Sequence, residues 1–408
     1  MLGRAIGFAL GLAVIAGAAP HAAAADAPAK TYNIAAMADF SGPFAEAMKP
    51  YIAGRDAAFE WWNAEVGGKL GIKLAVKTYD MRYDAAQVAT LWPGAKSELD
   101  PIAILGVGGP DVAALKERLP NDKVPMLLAS GATGFGWQPN QWFFYTRPTY
   151  SHETVALLDW LHAKNGGTRP LRVAMVITEA SPSFVDLWRG IEAWGKATGK
   201  IEIVEVVRTE PQPTDLTAQM RIVVNKKVDV IGGASTMAMV VATKRGLQAM
   251  GSKIPLVLSS HNSLLYAGRV LGGMDQVEGD YEVYAMALSA TSGPAYDFYV
   301  KLQKEYRLQA PWSPLVAQGL THAVFAGRAV EAAAAKVGAG KITGQAVHDA
   351  LLSTPIRGKD TFGLTSDLVY DTSAPFPQAG MTVNIGAVRG GKYVVEATDV
   401  AVPAIPKW

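Results

Sequence analysis

The sequence predicts an α/β protein built as two doubly wound, Rossmann-like lobes. Three observations lead there. Apolar β-type runs alternate with amphipathic helical runs along most of the chain. Each expected strand ends in a small-residue or Asx loop that opens the next helix, the pattern of parallel βαβ units. The rhythm then restarts near residue 150, so two similar blocks follow one another. Composition agrees: apolar residues make up 50% and charged residues 18% of the chain, below the usual charged share of about 25%, which suits sheets covered on both faces.

The first block opens with a strand at 32–38, then the loop Asp39-Phe40-Ser41-Gly42-Pro43 and a helix over about 45–65. A strand at 70–80, a helix at 84–97 and a short apolar strand at 102–107 follow. Gly108-Gly109-Pro110-Asp111 turns into a helix reaching residue 119. Residues 124–129 form a strand, Ser130-Gly131-Ala132-Thr133 a loop, and 142–147 a strand. The second block runs helix 152–164, strand 171–177, the loop 178–184, and a helix to about 198. Strand 201–207, helix 216–225, strand 228–231 with the loop Gly232-Gly233-Ala234-Ser235-Thr236, a helix to 250 and strand 255–258 complete it. In the tail, 281–288 reads as extended, 294–306, 313–337 and 343–352 as helices, and 367–395 as strands joined by turns. The expected division is a leader at 1–25, one lobe from 26–147 plus about 286–375, and a second from 148–285 plus about 376–408.

The leader follows from Arg4, an apolar and small-residue run at 5–19, and the small-x-small signature Ala23-Ala24-Ala25 before Asp26, which together read as a cleaved secretory signal peptide. The run is too short and too rich in Gly and Ala for a membrane span. The chain has no cysteine. That excludes a lipoprotein anchor, a disulfide framework, a Cys-ligated zinc and a thiol nucleophile, and points to a free periplasmic protein. The formal charge of +2, without basic tracts or aromatic-basic interleaving, argues against nucleic-acid binding.

Several segments carry a family resemblance. Met37-Ala-Asp-Phe-Ser-Gly-Pro-Phe44, Asn63-Ala-Glu-Val-Gly-Gly68, Tyr79-Asp80 with Asp84-Ala85-Ala86, the loop from Gly106 to Asp111, Val124-Pro125, Ser130 to Thr133 and Arg147-Pro148 occur in an order and spacing that resembles the type I periplasmic binding proteins of branched-chain amino-acid ABC transporters. The resemblance covers nearly the whole chain after the leader. It implies two doubly wound lobes joined by a three-strand hinge, a ligand trapped between them, no cofactor, and delivery to a membrane permease by a monomeric protein.

The same cleft follows from physical reasoning. Ligands of doubly wound sheets bind beyond the carboxyl ends of the strands, where helix N-termini present unpaired N–H groups. The segments 40–43, 107–111, 181–184 and 232–236 have this design and suit a carboxylate or another acceptor-rich group. Candidate contacts are Ser41, Gly109, Asp111, Gly131, Ala132, Thr133, Ser183, Ala234 and Ser235, with capping of their own helices as the alternative for Ser41, Asp111 and Ser235. The resemblance implies a hydroxyl in the first Gly-rich loop and an acidic residue in the second lobe for an α-amino acid. Here those stretches hold Gly109-Pro110 and Ser260-His261. A buried ammonium would lack its partner unless Asp111 faces the cleft. Thr133, with Gly131 and Ala132, matches the loop that holds the ligand carboxylate in the family.

Phe135, Trp137, Tyr150, Phe184 and Trp312 are candidates for an aromatic wall, or alternatively for core packing. One of Trp61 and Trp62 is expected in the core and the other partly exposed; His162 and His348 read as helix-surface residues and His261 as a cleft donor. No enzyme is indicated. Gly-x-Ser-x-Gly, His-Glu-x-x-His and Walker motifs are missing, and Asp111 stands where a dinucleotide fingerprint needs its third glycine. The expectation is capture of a small carboxylate, aromatic or otherwise hydrophobic. The alternatives are an amino acid or small amide as ligand, a sensor docking on a receptor kinase, and, remotely, a hydrolase.

Overall fold

The structure is a computed structural model and describes residues 1, 3, 29–139, 142–259, 261–286 and 288–408. The expected signal peptide and Ser260 lie outside the described residues, Met1 and Gly3 apart. The first sheet is built from β1 (Lys30–Ala38), α1 (Ala45–Trp62), which continues through a π-turn at Asn63–Gly67 into α2 (Gly68–Leu70), β2 (Ile72–Asp80), α3 (Ala85–Leu99), β3 (Ala103–Gly106), α4 (Gly109–Leu115), α5 (Leu119–Asp122), β4 (Met126–Leu128) and β5 (Phe143–Tyr145). Its strand order is β2-β1-β3-β4-β5, and every pairing is parallel. Ile34, Ala35, Ala36 and Met37 are all sealed from solvent, as expected of a strand covered on both faces.

The second sheet follows α6 (Tyr150–Lys164). It comprises β6 (Leu171–Ile177), α7 (Pro182–Thr198), β7 (Ile201–Arg208), α8 (Thr217–Asn225), β8 (Val230–Gly232), α9 (Met237–Gln248), β9 (Val257–Leu258), α10 (Leu264–Leu271) and β10 (Tyr281–Tyr284). The tail adds α11 (Pro294–Glu305), α12 (Pro314–Val337), α13 (Gly344–Ser353), β11 (Thr382–Arg389) and β12 (Lys392–Ala401). Strands run β7-β6-β8 and β9-β10-β11-β12, linked by a parallel bridge between Ile231 and Leu256. Side-chain caps start many of the helices: Asp84 accepts from the Gln87 N–H, Thr149 from His152, Thr236 from Met239, Ser263 from Tyr266, Ser313 from Val316 and Thr343 from Ala346.

After β10 the chain returns to the first sheet, and α12 packs along α1. A Cβ on Gly319 would lie 2.0 Å from the Tyr51 carbonyl, so the two backbones touch there and only glycine fits. Tyr51 Oη meets His322 Nδ1 at 2.5 Å and His322 Nε2 meets the Leu127 carbonyl at 2.8 Å, tying α12 to β4. β11 and β12 then return to the second sheet, β11 pairing antiparallel with β10.

α10 lies in a stretch, 259–280, to which the sequence reading assigns no element. Three expectations need correction. The expected strands over 367–395 are confined to β11 and β12 and two isolated bridges, Ile356 with Leu368 and Val369 with Ala379, because Pro375, Pro377 and Gly380 interrupt the ladder. Trp61 and Trp62 are both buried, at 4% and 0% exposure: α11 covers the first through a Phe298 edge contact at 4.9 Å, and α12 covers the second, whose Nε1 donates to Glu331. His348 is not a surface residue. α13 lays it against the first sheet, where its ring stacks on Trp142 at 3.9 Å.

Candidate ligand-binding cleft

The carboxyl ends of the two sheets' strands carry loops that meet one another. α7 begins at the second sheet and its first turn reaches loops of the first. The Gly134 N–H donates to Asp186 Oδ2 at 2.7 Å, and a Cβ on Gly109 would lie 2.9 Å from the Thr133 carbonyl and 3.0 Å from Ser183 Oγ. Gly134 has φ +87 and a Cβ there would come within 2.4 Å of Pro182, so the closest approach rests on a residue without a side chain. Asp186 Oδ1 also accepts from the Trp408 indole at 3.1 Å, and burial raises the Asp186 carboxyl above its ordinary range.

On the first-sheet side, Ser41 is exposed and its hydroxyl donates to Asp80, while Asp39 takes the N–H groups of Gly42 and Phe44. Asp111 is buried, and its Oδ2 accepts from the N–H groups of Val107 and Gly108 at 2.8 Å each. Its Oδ1 has no partner among the described residues. Burial pushes this carboxyl up to about 6 against the pull of the N–H groups of Gly108, Val107 and Asp111 itself. Tyr83, from the loop after β2, lies across Gly108, where a Cβ would meet its hydroxyl at 3.0 Å; burial pushes its phenol upward, with the Asp111 charge adding to the shift.

The loop after β4 is folded on itself. Ser130 Oγ donates to the Ala132 carbonyl at 2.7 Å and receives the Ala132 N–H at 3.2 Å. The Gly131 carbonyl accepts from the Tyr150 N–H at 3.2 Å, joining the loop to the start of α6. Thr133 Oγ1 lies 2.5 Å from Tyr145 Oη and receives the Phe135 N–H at 3.3 Å. Phe135 and Trp137 are half-buried. Phe135 lies under Lys116, and Trp137 packs edge-on against Phe376 and Trp408.

Facing these, Ser183 and Phe184 are half-buried in the first turn of α7, and Ala234 and Ser235 are buried after β8. The Ala234 carbonyl accepts from Asn262 Nδ2 and Ser235 Oγ lies 3.8 Å from Met239 Sδ. His261 sets its ring edge-on to Tyr150 at 5.6 Å; burial, with the Arg147 charge, lowers it to about 4, so it is a neutral donor and acceptor at pH 7. Trp312 donates to the Leu288 carbonyl at 2.7 Å inside the first core and does not join this group.

Sequence reasoning missed Arg147, Glu153, Tyr284 and Gln318. Arg147 Nε and Nη2 donate to both oxygens of Glu153 at 2.6 to 3.1 Å. The guanidinium lies 5.1 Å from the Tyr150 ring and 4.7 Å from the Tyr284 ring. Burial pushes the Glu153 carboxyl up while Arg147 pulls it down. Arg147 and Tyr284, with Thr146, Ala129, Gln318 and Thr321, line a cavity of about 20 Å³, room for one water. Arg147 had been noted only as part of Arg147-Pro148, and its pairing six residues on with Glu153 has no local signature. This arrangement of N–H groups, one clamped cation, neutral rings and apolar walls is suited to recognising a small acceptor-bearing molecule.

The sequence profile of a family described as periplasmic binding protein matches residues 31–390. No curated protein sequence matches. Among solved structures, the chain is similar to a branched-chain amino acid ABC transporter from Thermus thermophilus with bound valine, at 17% identity and a TM-score of 0.73 over 91% of this chain and 97% of the other. It is similar to a fatty acid ABC transporter substrate-binding protein from Thermomonospora curvata, at 20% identity and 0.70 over 92% and 94%. A third, an ABC transporter solute-binding protein from Rhodopseudomonas palustris in complex with p-hydroxybenzoic acid, aligns at 19% identity and 0.68 over 93% and 99%. Fold, strand order and a profile match across most of its length together establish that this chain belongs to the periplasmic binding protein family, in its type I form.

Proposed function

We propose that the chain is the solute-binding component of an ABC importer. It captures a small carboxylate, an aromatic or other hydrophobic acid, between two lobes and delivers it to the membrane permease. The lobes are 26–147 with about 286–375, and 148–285 with about 376–408, after removal of a signal peptide at 1–25, and the protein works as a periplasmic monomer. The observation that carries the acid reading is the clustering of Arg147, Tyr150, Tyr284 and His261 where the loops of both sheets meet: a cation flanked by rings, beside a loop rich in N–H groups. The similar structures that hold fatty-acid or p-hydroxybenzoic acid functions support this class. A second reading, an amino acid, is favoured by Asp111 Oδ1, a buried acceptor without a partner that an ammonium would satisfy.

The deciding experiment is a thermal-shift screen of the protein from Asp26 onward against hydroxybenzoates, medium-chain fatty acids, valine, leucine and small amides. Ligand at a hundredfold over its dissociation constant adds about 2.7 kcal/mol. Shifts confined to acids without an amino group support the first reading. Shifts with valine or leucine replace it with the second.

A further inference from the structure

We infer that Arg147 is the residue that recognises the acid group of the ligand, with the Tyr150 hydroxyl as a second donor. This rests on the acid reading above and names the charge partner that reading needs.

Arg147 sits just after β5, where the chain leaves the first sheet. Nε and Nη2 are committed to the two Glu153 oxygens, and the group lies over the Tyr150 and Tyr284 rings at 5.1 and 4.7 Å. A guanidinium has five N–H donors; the pairing with Glu153 uses Nε and Nη2 and leaves Nη1 out, while the side chain, 12% exposed, borders the cavity with Thr146 and Gln318. The Tyr150 hydroxyl is an orphan. Tyr150 is 4% exposed, and its oxygen is buried with no partner among the described residues.

A guanidinium edge left out of its ion pair and a buried, unpaired phenol on the neighbouring side chain suit one shared acceptor. A carboxylate is the group that suits a guanidinium edge best. The clamp removes the rotamer entropy that an arginine ordinarily loses on binding. Glu153 already balances the Arg147 charge, and His261 is neutral. A structural ion pair alone needs neither the free edge nor the buried unpaired phenol beside it.

The test is calorimetric titration of the purified protein at pH 7.5 with 4-hydroxybenzoate and octanoate, each beside its neutral amide. Two variants are compared with the wild type: Tyr150→Phe, which removes only the orphan hydroxyl, and Arg147→Met combined with Glu153→Gln, which removes both charges and strands neither. The wild type is expected to prefer at least one acid over its amide by tenfold or more. Tyr150→Phe should weaken that acid by about tenfold and leave the amide unchanged, and the double variant should lose the preference. A double variant that melts cooperatively and still binds the acid like the wild type overturns the role of Arg147 and leaves the acid ligand standing. If that variant does not fold, unchanged acid affinity in Tyr150→Phe overturns the inference by itself. A wild type that binds neither acid, or takes amides equally well, overturns the acid reading and this inference with it.

Discussion

Asp111→Asn separates a structural from a ligand-binding carboxylate. Asp111 is sealed in the loop after β3 with Oδ2 on two N–H groups and Oδ1 on none. Its carboxyl is raised from 3.8 to about 6 by burial. A group raised in the folded state contributes stability that is fully present below its unfolded value and is lost as pH rises through its folded value. For these two values the wild type gives up about 1.4 kcal/mol from this one group between pH 5 and pH 8. Asparagine keeps an acceptor for Val107 and Gly108, places an amide where Oδ1 had no partner, and does not titrate. The difference in unfolding free energy between variant and wild type should therefore move in the variant's favour by about 1.4 kcal/mol on going from pH 5 to pH 8. Urea unfolding at the two pH values measures it, with the other titrating groups cancelling in the difference. An equal difference at both pH values would refute the reasoning and place an unseen partner on Oδ1. The same variant should leave binding of 4-hydroxybenzoate intact; loss of valine binding would instead identify Asp111 as the partner of an ammonium.

Gly109→Ala introduces a Cβ 2.9 Å from the Thr133 carbonyl and 3.0 Å from Ser183 Oγ, so the two sheets' loops should stand apart. Small-angle scattering is expected to show a larger radius of gyration than wild type, and identical curves would contradict the close approach. Asp186→Ala removes the acceptor of both the Gly134 and the Trp408 N–H groups. Because desolvation already offsets part of those bonds, the expected loss is about 1–3 kcal/mol in urea unfolding, with faster hydrogen exchange at Gly134. Thr133→Ala leaves the buried Tyr145 hydroxyl without its 2.5 Å partner and should cost about 1 kcal/mol of stability; an unchanged midpoint would mean that the hydroxyl serves the ligand and not Tyr145.

The βαβ rhythm was readable because β1, β3 and β6 are largely apolar and buried on both faces and are followed by amphipathic helices; all three fall within two residues of expectation. The failures share a cause. α10 is eight residues long, too short for a helical period to stand out from its loop. The tail strands depend on β10 and on each other, and pairing between segments a hundred residues apart leaves no local trace. His348 carries a polar residue's signature on a helix, yet a stacking partner from the edge of a sheet two hundred residues away buries it.

For the cleft, the sequence indicated which loops stand at the carboxyl edges of the strands, because that is decided by strand direction. It could not indicate what each polar atom meets there. Ser41 looks like a free hydroxyl at a helix start but donates to Asp80 on the neighbouring strand's end. Asp186 looks like an ordinary acid in the second turn of a helix but accepts from a glycine 52 residues earlier. Arg147 reads as a linker residue until α6 supplies Tyr150 and Glu153 and the end of β10 supplies Tyr284. Hydroxyls and N–H groups near a cleft are mostly taken by neighbours that no spacing rule foresees. The informative atoms are therefore among those left over once these bonds are assigned, and two of them are Asp111 Oδ1 and the Tyr150 hydroxyl, buried and unpaired among the described residues. They are of opposite kind, an acceptor on the first-sheet side and a donor at the start of α6. The first suits an amine and the second an acid, which is why a panel containing both kinds of ligand distinguishes the readings where fold similarity does not.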